Sequence, residues 1–367
     1  MSEHPYKNLP SHCFWRRAHN VESIEEVDPV VSVPFRIGGS ERVATAGSCF
    51  AQHIAKHLSD SGYNYMVTES AHPLIPDDVA RKHNYGVFTA RYGNIYTPRQ
   101  LLQLCKRAYG LFEPIDDFWI NEQGRYIDPY RPAIEPRGFG SRQEFELDRK
   151  RHFAAVRKAL EESSVFVFTF GLTETFVNAV DGAVYPVCPG VAGGEFDKNN
   201  HVFKNFTVQE ITADFLEFID FVRAKNSDVK FIITVSPVPL VATAEDRSVI
   251  TSTVYSKAVL RVACEEISKE RLNVVYFPSL EIITGNYTRG KYFGEDLRSV
   301  TDSGVAHVMK LFMRHFAEPN TGNKFPPKSL RRDGGDAAAD AREFEEVEAT
   351  LELVCEEELL EQQSSRK

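Results

Sequence analysis

The 367-residue chain has no Cys-x-x-Cys pair; its six cysteines, Cys13, Cys49, Cys105, Cys188, Cys264 and Cys355, are scattered. That spacing fits neither a disulfide framework nor a zinc site, and free thiols in a reducing compartment are expected. No apolar run approaches the ~20 residues needed to cross a bilayer, so no membrane span is expected. The first 17 residues carry Lys, Arg, His and Pro without the apolar stretch of a secretory signal, which points to a cytoplasmic protein. The sequence also lacks a glycine-rich phosphate loop, a His-Glu-x-x-His motif and any Cys/His cluster at ligand spacing, so neither a metal nor a nucleotide cofactor is expected. Positive charge is the scarcer sign: 43 Lys and Arg against 52 Asp and Glu leave a net charge of -9. Such a balance argues against a general electrostatic hold on nucleic acid.

What is present suits a soluble globular protein with a sizeable core, since 42% of residues are hydrophobic and 26% charged. Residues 1–40 are polar, rich in Pro and weakly periodic, and form an N-terminal extension. From position 42 the pattern sharpens. Val43, Ala44, Thr45 and Ala46 spell a short buried strand, Gly47 breaks it, and Phe50, Ile54 and Leu58 then recur at helical spacing. Strand, tight turn with Ser48, then helix is a geometry that presents a hydroxyl at a helix start. Further helices are predicted from near Pro98, over 145–162, over 208–224 with Thr207 as cap, over 256–267 and over 304–316. Continuous apolar strands are predicted at 165–170, 230–235 and 274–277.

Strands apolar on both faces and separated by amphipathic helices imply an α/β fold, a three-layer sandwich with a central parallel sheet. Two loop-rich insertions interrupt it, one over 111–139 and one after Glu174. In such a sheet the ligand site lies at the carboxyl ends of the strands, where Ser48, Thr173, Ser236 and Ser279 fall. After the domain at 41–318, residues 319–342 read as a flexible linker without hydrophobic period. Residues 343–367 form an acidic segment with Phe344, Val347, Leu351 and Val354 at helical spacing. It reads either as a solvated tail or as a helix that meets a protein partner.

Gly47-Ser48-Cys49-Phe50-Ala51 is the pentapeptide of the GSCFA family, which is similar to the SGNH or GDSL hydrolases. Gly93-Asn94-Ile95-Tyr96-Thr97-Pro98, Gly171-Leu172-Thr173-Glu174, Ser236-Pro237-Val238-Pro239, Ser256-Lys257, Tyr276-Phe277-Pro278-Ser279 and Glu295-Asp296-Leu297 follow in the expected order. The resemblance implies an SGNH-hydrolase-like, flavodoxin-like sheet. It further implies a serine ester hydrolase or O-acyltransferase, acting on an acetyl or other acyl ester of a carbohydrate such as a bacterial surface polysaccharide. Carried over by motif, Ser48 is the nucleophile, and its own N–H, Gly93 and Thr173 form the oxyanion hole. Asp296 is the orienting acid. Where the wider group has the basic His, three residues after Asp296, this chain has Ser299.

A serine without a base is a weak nucleophile. His307, on the last predicted helix, is therefore the candidate displaced base, ahead of His72 and His201. Asn94, Glu174 and Ser299 complete the candidates. Each has a plainer alternative: Ser48 and Thr173 as helix caps, Glu174 as a strand-end residue, and His307 as a structural histidine. The rival to an ester enzyme is a degenerate domain that binds a glycan or a protein without chemistry.

Overall fold

In chain order the helices are α1 (Trp15–Ala18), α2 (Ala51–Asp60), α3 (Asp77–Lys82), α4 (Pro98–Ala108), α5 (Arg142–Glu162), α6 (Val208–Arg223), α7 (Val249–Glu270), α8 (Ser279–Thr284) and α9 (Asp302–Phe316). The strands are β1 (Val43–Gly47), β2 (Trp119–Ile120), β3 (Tyr126–Ile127), β4 (Val165–Phe170), β5 (Glu174–Asn178), β6 (Val184–Tyr185), β7 (His201–Asn205), β8 (Lys230–Val235) and β9 (Val274–Phe277). This computed structural model describes residues 4–318 and Leu360. The expected linker at 319–342 and acidic segment at 343–367 lie, apart from Leu360, outside the described residues.

The central sheet has four parallel strands in the order β1-β4-β8-β9. Because side chains alternate across a strand, each strand feeds two cores. Ala44, Ala46, Phe166, Phe168, Phe170, Phe231, Ile233 and Val235 face one, packed by α4, α5, α6 and α7. Val43, Val165, Val167, Ile232 and Phe277 face the other, packed by α2, α8 and α9. The continuous apolar runs of the sequence are explained by this: both faces of the sheet are covered by helices.

Beyond β1 the sheet has only a trace of a fifth member, a parallel bridge of Val43 to Tyr65 in which Val43 N–H donates to Asn64 O and Met66 N–H to Val43 O. From β1, therefore, the chain leaves over one face through α2 to the Tyr65 edge, and returns over the other through α4 and α5 to β4. In sheets of this order a ligand is expected at the carboxyl ends of β1 and β4, between the two diverging connections.

The residues before β1 lie against α9. Ile37 is fully buried, its N–H donates to Phe316 O at 2.6 Å, and its carbonyl accepts from Glu318 N–H. The second insertion holds a three-stranded antiparallel sheet, β6-β5-β7, where the sequence suggested loop. Its strands are too short, and too evenly half-buried, to show a period. The helix expected from residue 256 begins at Val249, and the one expected from 145 begins at Arg142 under the cap Ser141.

Candidate active site

Gly47 decides the local geometry. Its φ is +140°, and a Cβ there would stand 2.5 Å from Thr169 O and 2.7 Å from Thr169 N. Only glycine lets β1 run against β4 to its last residue and then turn. Ser48 follows, its N–H donating to Thr169 O at 3.1 Å and its carbonyl accepting from Ala51 N–H as α2 starts. This N–H was expected to face an oxyanion; in the structure it continues the sheet ladder. The Ser48 side chain is 2% exposed, and its Oγ is buried with no hydrogen-bond partner.

Around that hydroxyl the strand ends are stitched together. Ile95 N–H donates to Gly47 O, and Gly171 N–H to Tyr96 O. Gly171 faces Ser48 so closely that a Cβ on it would lie 3.0 Å from Ser48 Cβ and 3.0 Å from the Tyr96 ring. The buried Lys257, on α7, donates to Gly171 O at 2.6 Å. Gly93 takes the left-handed conformation, φ +66°, and delivers Asn94 into the interior. Asn94 O accepts from Gln100 Nε2 at 2.9 Å and Asn94 Oδ1 from Gln52 Nε2 at 3.3 Å. Gln52 had no place in the sequence reading, although it stands one helical turn past Ser48, on the same face.

Thr173 sits at the same edge with both polar groups engaged: its N–H donates to Ser256 Oγ at 3.0 Å and its hydroxyl to Asn205 Oδ1 at 2.7 Å. Asn205 in turn donates to Glu245 at 2.9 Å. Glu174 accepts from the Thr243 hydroxyl at 3.0 Å, and burial, more than the neighbouring Glu245, pushes its carboxyl above the ordinary range.

The last motif does not deliver a base. Asp296 is exposed and accepts from the Ser299 hydroxyl and from the backbone N–H groups of Arg298 and Ser299. The Ser299 hydrogen bond, first among these, holds its carboxyl below the usual value. Arg298, beside it, reaches the loop after β8, with Nε 3.3 Å from Pro239 O.

His307 is buried with both ring nitrogens in use, Nδ1 2.8 Å from Tyr292 Oη and Nε2 3.0 Å from Val27 O. A carbonyl can only accept, so Nε2 carries the proton and Nδ1 accepts from the tyrosine. His307 thus fastens α9 to the N-terminal segment, and neither nitrogen is directed at Ser48. His201 lies in the insertion sheet, bonded to Asp197 N–H and Asp116, and His72 accepts from Leu74 N–H in an exposed loop.

The sequence reading passed over His53, five residues after Ser48. Its Nε2 is buried without a partner, and burial foremost, with Lys56 second, lowers its pKa to about 4. Since Ser48 Oγ is also unpartnered, the two are not bonded to each other.

Among the described residues no group of three or more His, Cys, Asp or Glu could hold a metal ion, and no helix is long and apolar enough to cross a membrane. A cavity of about 450 Å³ lies elsewhere, between residues 74–85 and α5, and Ser48 does not line it. No curated protein matches the chain in sequence. Among solved structures it is similar to an acetyl xylan esterase (Est2A) from the rumen bacterium Butyrivibrio proteoclasticus, at 12% identity and a TM-score of 0.26, over 77% of this chain and 65% of that one. The chain thus spans just under two thirds of that protein's length. Residues 42–312 match the GSCFA family, from the strand before Ser48 through most of α9, and the chain belongs to that family.

Proposed function

We propose that this protein carries out acyl-ester chemistry with Ser48 as nucleophile. The reading rests on one observation: a buried serine hydroxyl without any hydrogen-bond partner stands at the carboxyl end of β1, where the chain turns towards α2. An orphaned buried hydroxyl is costly, by about 1–3 kcal/mol, and calls for a reason. A substrate that supplies the missing partner is such a reason.

In this reaction Ser48 Oγ bonds to the ester carbonyl carbon, the tetrahedral intermediate breaks its bond to the leaving oxygen, and the serine proton passes to that oxygen, so that the alcohol departs. Water or a sugar hydroxyl then attacks the acyl-serine, takes the acyl group, and gives its proton back to Ser48 Oγ. The preferred substrate is an acetylated carbohydrate, a reading that comes from the family resemblance. Of the candidate oxyanion donors, Gly93 N–H lies on the segment stitched to Gly47, beside the further site candidate Asn94. The Thr173 hydroxyl would first have to leave Asn205. Asp296, with Ser299 in place of an imidazole, holds the loop that carries Arg298.

A second reading, a binding domain without chemistry, is favoured by Ser299 and by the engaged N–H of Ser48. A fluorophosphonate probe and a small acetyl ester separate the two. The enzyme reading expects covalent labelling at Ser48, and loss of both labelling and turnover in Ser48→Ala. Equal turnover by Ser48→Ala and the parent would remove Ser48 from the chemistry, and no labelling at any pH would leave the binding domain.

A further inference from the structure

The inward face of α7 serves the candidate site, with the Ser256 hydroxyl under Thr173 and Lys257 on Gly171. Its outward face is unusual. Between Val249 and Leu260 the helix has a single charged residue, Lys257, and that one is buried. Exposed Ile250, Val254, Ala258 and Val262 follow at intervals of four and so form one line along the helix. Ile250 is 73% exposed, Val254 65% and Val262 47%, and the exposed Tyr255 stands beside them. The exposed side of α5, by contrast, carries Arg142, Glu146 and Lys150. Single exposed apolar residues are ordinary on a monomer, whereas a continuous uncharged ridge marks a contact surface. The charged residues inside its span are the buried Lys257, and Arg261, whose guanidinium is turned to Glu281 and Glu265; further charges stand at the ends, Asp246 and Arg247 at one and Glu265 and Glu266 at the other. An apolar centre inside a charged rim is the anatomy of a protein interface.

We propose that this ridge is the twofold interface of a homodimer, two copies of α7 packed antiparallel and crossing at the roughly 50° that rows of i, i+4 residues impose. The order of side-chain sizes selects a second copy as the occupant. With the twofold axis through the middle of the ridge, Ile250 meets Val262 of the partner subunit and Val254 meets Ala258 of the partner subunit. A bulky residue thus faces a smaller one along the whole contact, which lets the helices approach closely. The same symmetry brings Arg247 towards Glu265 of the partner subunit. Asp246 and Glu266 fall opposite each other only at the wet edge, where such pairs weigh little.

The area is sufficient. The ridge with Tyr255 exposes on the order of 400 Å² of apolar surface per copy. Two such faces and their flanks bury about 1,000 Å² or more, the size at which an interface becomes specific. Dimerisation would fix the outer side of the helix whose inner side holds Thr173 and Gly171. It requires nothing of Ser48.

Sedimentation equilibrium on the full chain tests the proposal. The parent is expected at the mass of two chains. Val254→Glu, which sets a carboxylate at the dry centre, is expected to weaken the dimer by about 100-fold or more, and the milder Val254→Ser by about 10-fold. Circular dichroism checks that each variant is folded; the position is exposed in the single chain, so a normal spectrum is expected. A single-chain mass for the parent would overturn the proposal, as would a dimer that both folded variants leave unchanged.

Discussion

A histidine on the last helix of an α/β chain invites a catalytic role, and His307 shows how hydrogen bonds decide the matter. Its two nitrogens join Tyr292 to Val27, a carbonyl 280 residues away in sequence. His307→Leu would keep much of the packing and leave the Tyr292 hydroxyl and the Val27 carbonyl unsatisfied. We expect a loss of about 1–3 kcal/mol in denaturant unfolding. Ester turnover per folded molecule should be unchanged. A variant of parental stability that has lost turnover would instead make His307 part of the chemistry. The turn that carries Ser48 was legible from its place between an apolar run and a helix, but the surroundings of its hydroxyl were not. Its neighbours come from Thr169, Gly171 and Tyr96, and the state of its N–H and hydroxyl depends on contacts that no local pattern encodes.

Elements were more legible than contacts, for a physical reason. β4 and β8 are apolar at nearly every position because helices cover both faces, and such runs announce themselves. The start of α7 did not, because its first turns place Ile250 and Val254 outward, against the usual amphipathic pattern. Strands β5 and β7 escaped because their interior positions are mostly half-buried and alternation is faint, and β6 because it has only two residues.

The β1-to-α2 turn, by contrast, was visible in Gly47, and its strength can be measured. Gly47→Ala would place a methyl against the backbone of Thr169 at a φ that L-residues rarely adopt. Neither β1 nor β4 can retreat without parting the two strands. We expect a destabilisation of about 3 kcal/mol or more, with loss of any Ser48 labelling. A variant that unfolds at the parental denaturant midpoint would show that the strand pair yields more easily than its packing implies.

For the whole molecule, buried ionisable groups set the response to acid, and they fall into two sets with separate pH windows. Beneath the first insertion Arg91 bonds Asp148 at 2.7 Å, Arg131 bonds Asp128 at 2.9 Å and Asp148 at 3.0 Å, and His152 meets Glu69 at 2.8 Å. Burial alone would push Glu69 and Asp128 up, but His152 and Arg131 for the first, and Arg131 and Arg107 for the second, outweigh it and hold both near a pKa of about 2. Unfolded, these carboxyls take up protons near 4.5 and 3.8, so their stabilisation is present above that range and is lost as pH falls towards 2.

His53 acts earlier. Its folded pKa of about 4 lies below the unfolded 6.5, so between these values the unfolded chain binds the extra proton and stability falls as pH falls. Burial lowers His57, His152 and His307 in the same direction. The denaturant midpoint should therefore decline in two stages, a histidine stage from about pH 6.5 to 4 and a carboxylate stage below. His53→Gln should flatten the first stage by on the order of 3 kcal/mol at most, the worth of its shift, and leave the second in place. A midpoint that is level from pH 7 to 4, or a first stage that His53→Gln does not change, would mean that the imidazole gains a proton in the folded protein without cost.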